Sequence, residues 1–347
     1  MRRPIWAFAA LLVLAALAPF LASGTPLIAS GPEGGWVFPA FAALEWVDLG
    51  ALAVAMAAVG CCASGAHRRW FLGAALFLVL AMIWHQPRVF NGSGDVVVRA
   101  LVPHGPGTRD FKATRVMSLS DTSHPLGTDS SGRDLASRTL HGLRVSIFVA
   151  LVTTVSATVL GILVGLLVAA CPRVVGRVIG VFTDATQAFP SVLAVLAARA
   201  VLPPSVESFV LILVLFRIPA LARMTEVTAR GLAHSEFVRA AQGLGHTRFH
   251  IAMTTFLPHA SGPAIALAGF GISGAILAEA GLGFLGLGLP RDFASLGGVL
   301  EEVRDLALID PLVMVVPGIV LLCVSWASHA SSDAFRGVIQ SDSGNGT

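Results

Sequence analysis

Residues 145–170 read VSIFVALVTTVSATVLGILVGLLVAA, a long apolar run without a single ionisable side chain. A helix needs about 20 mostly apolar residues to cross a hydrocarbon core of roughly 30 Å, because backbone groups buried in lipid must bond within their own segment. This stretch meets that requirement. The same test applied outward along the chain finds further candidate spans at approximately 5–23, 47–65, 70–85, 178–201, 207–222, 264–288 and 312–330. The expected fold is therefore all-α, a polytopic transmembrane helical bundle of about eight spans. Composition points the same way: the 347 residues are 55% hydrophobic and 12% charged, with a mean hydropathy of +0.80, against about 25% charged in soluble domains. Soluble enzyme folds are excluded. The basic residues are scattered arginines, with Lys112 the only lysine, so no nucleic-acid-binding patch is present either.

Arginine bias sets the expected orientation. Arg2 and Arg3 precede the first span, Arg68 and Arg69 separate the second from the third, and Arg173 and Arg177 separate the fourth from the fifth. Segment 223–262 adds Arg223, Arg230, Arg239 and Arg248, whereas 24–46 and 203–206 carry no Lys or Arg. The positive-inside rule puts the first group on the cytoplasmic side, and eight spans then put both termini there, in a multi-pass membrane protein. Segment 86–142 is outside by parity although it carries Arg88, Arg99, Arg109, Lys112, Arg115, Arg133 and Arg138; long loops follow the charge rule weakly. The first segment is read as an uncleaved helix, with a signal peptide cleaved near Ala22-Ser23-Gly24 as the open alternative. The chain divides into 1–90 with three spans, an external loop 91–142, a core 143–330 with cytoplasmic loop 223–262, and a cytoplasmic tail 331–347.

Few motifs carry chemistry. Gly127-Thr-Asp-Ser-Ser-Gly132-Arg133-Asp134 has the glycine spacing of a phosphate-binding loop. It lacks the lysine that reaches the phosphates and the following Ser/Thr that holds magnesium. Cys61, Cys62, Cys171 and Cys323 show neither CxxC spacing nor histidine partners and read as small packing residues, so no metal site is expected. Charged and polar groups inside spans need a partner or a watery path. Asp184 and Gln187, near one helical turn apart, and Glu279 are candidates for lining a pathway or for bonding between helices. Arg199 and Arg217 sit near expected span ends, where they could snorkel.

Loop 223–262 is far longer than the other expected inner loops, so something folds there. The pattern predicts a helix over 225–244, with Phe237, Ala240, Ala241 and Leu244 recurring at helical steps beside Glu236 and Arg239. Gly243 and Gly245 end it, a second helix covers about 246–256, and Leu257-Pro258 marks an edge before the next span. The element reads as a docking surface for a cytoplasmic protein or as a self-packed amphipathic loop.

Ala240-Ala241, three residues, Gly245, then Leu257-Pro258 resembles the Glu-Ala-Ala loop of ABC importer permeases, with Arg239 in place of the glutamate and Thr255 in place of the family's isoleucine. His124-Pro125-Leu126-Gly127-Thr128-Asp129, with Gly132-Arg133-Asp134, Ser137-Arg138 and Gly142, resembles the lead into the core of the C-type subunit in the dipeptide/oligopeptide/nickel family. Ala275-Ile276-Leu277, Glu279-Ala280 and Phe284-Leu285-Gly286-Leu287-Gly288 resemble a second family stretch; Ser295, Gly297 and Leu300 resemble a third, with Leu296 where Trp is usual. The resemblance covers about 120–340. It does not extend to 1–90, where the family has one span rather than three.

The resemblance implies a type I-like ABC importer permease core translocating peptides or similar small solutes, with nickel chelates as the nearest substrate alternative. It implies that this chain binds no cofactor and is no enzyme, ATP and magnesium being used by two cytoplasmic ATP-binding subunits. It also implies a second, B-type permease subunit and an external solute-binding protein as partners. The loop residues Glu236, Arg239, Ala240, Ala241, Gly245, Leu257 and Pro258 would couple to an ATPase. A stand-alone secondary transporter is the alternative of a different class; its expected inverted repeat and midplane charge relay are not evident in the sequence.

Overall fold

The computed structural model describes residues 3–23, 28–30, 36–37, 96–98, 102, 104–111, 124, 126–171, 173–188 and 191–344. The expected spans 47–65 and 70–85, Cys61, Cys62 and Pro125 lie outside these. The described chain is helical except for three strands of two or three residues: β1 (Ile28–Ser30), β2 (Trp36–Val37) and β3 (Val96–Val98), antiparallel in the order β2-β1-β3. Four helical runs are long and apolar enough to cross a membrane: Leu135–Ala170, Val206–Leu232, Arg248–Phe284 and Leu312–Asp333. They coincide with the expected spans 145–170, 207–222, 264–288 and 312–330. The expected span 5–23 is broken at Leu17 into α1 (Arg3–Ala16) and α2 (Ala18–Leu21). That at 178–201 is two helices, α4 (Arg173–Ala188) and α5 (Ser191–Val201), on either side of Phe189-Pro190.

Contacts group the chain into two units, residues 1–148 with 276–327 and residues 149–275 with 328–347; each is described by itself. In the first, helix α3 (Leu135–Ala170) begins ten residues before its expected apolar span, so Arg138, His141 and Arg144 lie on the helix rather than in the loop before it. Its first turns pack with α10 (Leu296–Val303) and the start of α11 (Leu312–Gly344) around Leu135, Val299, Val303 and Val313. The tail expected from 331 continues α11 to Gly344.

The second unit pairs α3 with α6 (Val206–Leu232). Gly161 and Gly165, a GxxxG spacing, let the backbones meet. A Cβ on Gly161 would lie 2.5 Å from the Leu221 side chain, and one on Gly165 would lie 2.5 Å from the Ala222 carbonyl oxygen and 2.6 Å from Thr225. Arg217, on α6, does not snorkel: its guanidinium donates to the Gly271 carbonyl. Gly165→Ala should therefore force the helices apart and destabilise the chain by about 1–3 kcal/mol. Gly180→Ala, whose Cβ would meet nothing within 4 Å, should be neutral or stabilising by up to about 1 kcal/mol. Thermal unfolding of both variants in one detergent makes the comparison; equal melting would show that the close approach is not needed.

Candidate functional site

The single helix expected over 225–244 is instead the end of α6, a turn and a short helix. Helix α6 ends at Leu232, a turn spans 233–235, and α7 (Glu236–Gly243) follows. The break falls where Ser235 turns its hydroxyl back onto the Leu232 carbonyl at 2.6 Å. Such local bonding competes with helix continuation. Helix α7 ends in a full left-handed cap: Gly245 has φ +84°, its N–H donates to the Gln242 carbonyl at 3.0 Å, and the His246 N–H donates to the Ala241 carbonyl at 3.1 Å. This pair of bonds satisfies carbonyls that a helix end otherwise leaves open, and glycine takes the backbone angle without steric cost. Thr247 then caps α8 (Arg248–Ile251), accepting from the His250 N–H at 3.2 Å.

Pro258 does not end the helix, contrary to expectation. A π-helical turn, Ala252–Phe256, sits just before it, and the run continues as α9 (Leu257–Phe284). A proline ring displaces the carbonyl four residues back; the wider turn takes up that displacement, and the Leu257 N–H donates to Ala252 instead.

Two faces of this element differ. Val238, Ile251, Ala252 and Phe256 are buried with Leu166 and Ala229, with Ala241 and Leu257 packed against them. Val238 is the anchor that the sequence pattern did not single out. On the other face Ala240 is exposed, and Leu244, Phe249 and Phe237 are 80%, 67% and 50% exposed. His246 stacks on His250 with ring centroids 4.6 Å apart. Glu236 and Pro258 are exposed beside this crest.

Beneath the loop lies an open cavity of about 910 Å³, and Asp184 and Arg239 are among its walls. Gln187, also exposed, donates to the Thr183 carbonyl on its own helix at 3.5 Å. Glu279 belongs to the other unit and is fully buried there: the Ser146 hydroxyl donates to its Oε2 at 2.6 Å, and the same hydroxyl accepts from the Leu296 N–H at 2.9 Å. Ser146→Ala leaves a buried carboxylate oxygen and a buried amide without that partner. We expect it to cost about 1–3 kcal/mol, read as earlier thermal unfolding; an unchanged transition would show that the bridge is dispensable.

The residues of the glycine-spaced motif form a compact knot in the first unit. Asp129 Oδ1 accepts from the Ser131 and Arg133 amides, both at 2.8 Å, and its Oδ2 accepts from Arg133 Nε at 2.7 Å. Asp134 caps α3, accepting from the Ser137 amide at 2.7 Å, while its other oxygen meets His124 Nδ1 at 2.7 Å. These carboxylates occupy the amide donors that a phosphate would need. Thr128 is buried and bridges to Asp134, and Gly127 and Gly132 take positive φ. A Cβ on Gly132 would lie 2.9 Å from the Asp110 carbonyl oxygen, so the close approach needs glycine.

Glu302, on α10, closes the knot. It meets Arg138 through two bonds of 2.6 and 2.8 Å and Arg133 at 2.8 Å. Burial pushes its carboxyl up, and the two guanidiniums pull it back. Its role was not legible in advance, because 164 residues separate it from Arg138. Among the described residues, no group of three His, Cys, Asp or Glu side chains could hold a metal ion. Cys171 is half-buried and Cys323 exposed on its span, both free thiols.

Apolar helices of spanning length, close glycine contacts between them and a folded loop with an apolar outer face define a multi-span membrane protein with a docking surface. The chain belongs to the family of binding-protein-dependent transport system inner membrane components, which matches residues 139–341. A protein of Brucella abortus biovar 1 (strain 9-941) described as a peptide transport system permease protein is 31% identical over 275 residues, 79% of this chain and 88% of its own. The di/tripeptide transport system permease protein DppC of Pseudomonas aeruginosa (strain UCBPP-PA14) is 30% identical over 79% of this chain and 88% of its own. A solved inward-facing MetNI methionine ABC transporter chain is 17% identical, with a TM-score of 0.46, over 59% of this chain and 95% of that one.

Proposed function

We propose that the chain is the permease subunit of an ATP-driven importer for peptides or similarly sized solutes, that segment 233–250 is where a cytoplasmic ATPase docks, and that both termini face the cytoplasm. The observation that carries the docking reading is the exposed crest of Phe237, Leu244 and Phe249 on an element otherwise rich in polar and basic side chains. Large apolar residues grouped on a polar surface mark a contact surface, and the arginine bias places this one at the cytoplasmic side. The family and the names of its relatives support peptide transport. In this reading a second permease completes the pathway, a binding protein delivers the solute outside, and two ATPases hydrolyse ATP. Nucleotide-driven closure of the ATPases moves the loop through its buried anchor, Val238. Such coupling is a shift between two states set by differential contacts.

The test is gentle purification of the tagged chain from its native membrane, identification of co-purifying chains by mass spectrometry, and dipeptide uptake by the reconstituted assembly. ATPases and a second permease in the eluate, with uptake that needs ATP and the binding protein, are the expected result. A folded, solitary chain that moves solute alone would overturn the reading.

A further inference from the structure

The cavity under the loop is lined by five arginines from four helices: Arg177 on α4, Arg223 and Arg230 on α6, Arg239 on α7 and Arg248 on α8. Two carboxylates face it, Glu226 and Asp184. Glu226 is buried and already engaged, meeting Arg230 at 2.8 Å and Arg223 at 3.3 Å. Among the described residues, Arg177, Arg239 and Arg248 form no ion pair, so the cavity holds an excess of positive charge that the fold gathers and does not neutralise. The five side chains are solvent-exposed, so water screens their repulsion, and the concave arrangement leaves a positive potential that favours an entering anion.

The remaining wall is apolar. Val168, Ile251 and Phe256 line the cavity next to Ala170 and Cys171, where the apolar helix α3 ends. From there α4 carries Val174, Val178, Val181 and Phe182 outward, all more than half exposed. Arg177 therefore sits at the seam between the basic cavity and an apolar helix flank at the level where a membrane span stops.

We propose that this cavity binds a phosphate-bearing anion, whose membrane source is the headgroup of an anionic phospholipid and whose soluble source is free phosphate. Guanidinium forks suit phosphate oxygens, and forks from four helices surround a tetrahedral group better than a planar carboxylate. Basic pockets between membrane helices are general headgroup sites. The volume exceeds what inorganic phosphate fills, and Val181 on the cavity wall belongs to the exposed apolar flank of α4, a surface against which acyl chains could lie. Glu226 holds Arg223 and Arg230 in place for the ligand rather than competing for it.

The full-length chain in a neutral maltoside detergent is titrated with dioctanoyl phosphatidylglycerol, dioctanoyl phosphatidylcholine and inorganic phosphate, with affinity read by thermophoresis. Phosphatidylglycerol should bind and phosphatidylcholine should not. R177Q/R248Q should weaken binding by about tenfold or more, whereas R304Q, outside the cavity, leaves it unchanged. Phosphate competing with phosphatidylglycerol identifies the shared anion site, and phosphatidylglycerol binding without phosphate binding assigns the site to lipid. If R177Q/R248Q misfolds, the single variant R177Q is read instead. Equal binding of both lipids, no binding of either anion, or wild-type affinity in the arginine variants would overturn the proposal. Arg177 lies outside segment 233–250, so loss of anion binding in R177Q with ATPase co-purification intact separates this site from the docking reading.

Discussion

Gly245→Asp should reduce binding-protein-dependent uptake by at least about tenfold, since an apolar contact that must bury a carboxylate loses several kcal/mol, while the chain stays inserted and folded. The two effects separate because of the local geometry. Gly245 has a left-handed backbone, which costs a residue with a Cβ about 1 kcal/mol, and aspartate is among the side chains that tolerate it. A Cβ there meets nothing within 4 Å, so the change does not disturb the packing around Val238. What changes is the outer face, where a negative charge enters the crest between Leu244 and Phe249. Gly245→Asn carries the same backbone strain without the charge and should retain most of the uptake. The measurements are membrane yield, thermal unfolding and ATP-dependent peptide uptake. Wild-type uptake in Gly245→Asp would refute docking at this crest, and equal losses in both variants would assign the effect to backbone strain.

The membrane class and the four expected spans that coincide with helices of spanning length were readable because a run such as 145–170 has one physical solution in lipid. The break at 233–235 and the π-turn before Pro258 were not, since each depends on local hydrogen bonds that leave the apolar pattern unchanged, and neither was the pairing of β1 with β3, whose partners lie far apart in sequence. Within the loop, Gly245 was legible as a turn residue, and its cap bonds explain why. The choice between Val238 as buried anchor and Phe237 as exposed crest was not legible, because adjacent apolar residues on a short helix do not say which face has a partner. The arginines of segment 86–142 that strained the charge rule are partly explained by the knot. Arg133 and Arg138 are buried against carboxylates, so counting them as free surface charges overstated the conflict.

Glu302→Ala should destabilise the chain by about 3–5 kcal/mol. It takes from Arg138 its carboxylate partner and from Arg133 one of two. Arg138 is one of the largest fully buried side chains, and besides Glu302 its bonds include one to the Pro106 carbonyl at 3.1 Å. Arg133 keeps Asp129, and its Nη1 reaches the Arg291 carbonyl at 3.4 Å. One carboxylate thus ties the 104–111 segment, the start of α3 and the stretch around Arg291 to α10. Removing it leaves buried positive charge that neither water nor lipid reaches easily. Glu302→Gln keeps two polar atoms in place and should cost less. Arg138→Met combined with Glu302→Leu removes both members of the tightest pair and should recover part of the loss. Thermal unfolding in detergent, with proteolysis of the 104–111 segment as a second probe, measures the series. If Glu302→Ala unfolds with the wild type, the knot contributes no net stability. A double variant no better than Glu302→Ala would instead mean that Arg133, left with Asp129 as its one carboxylate partner, accounts for the cost.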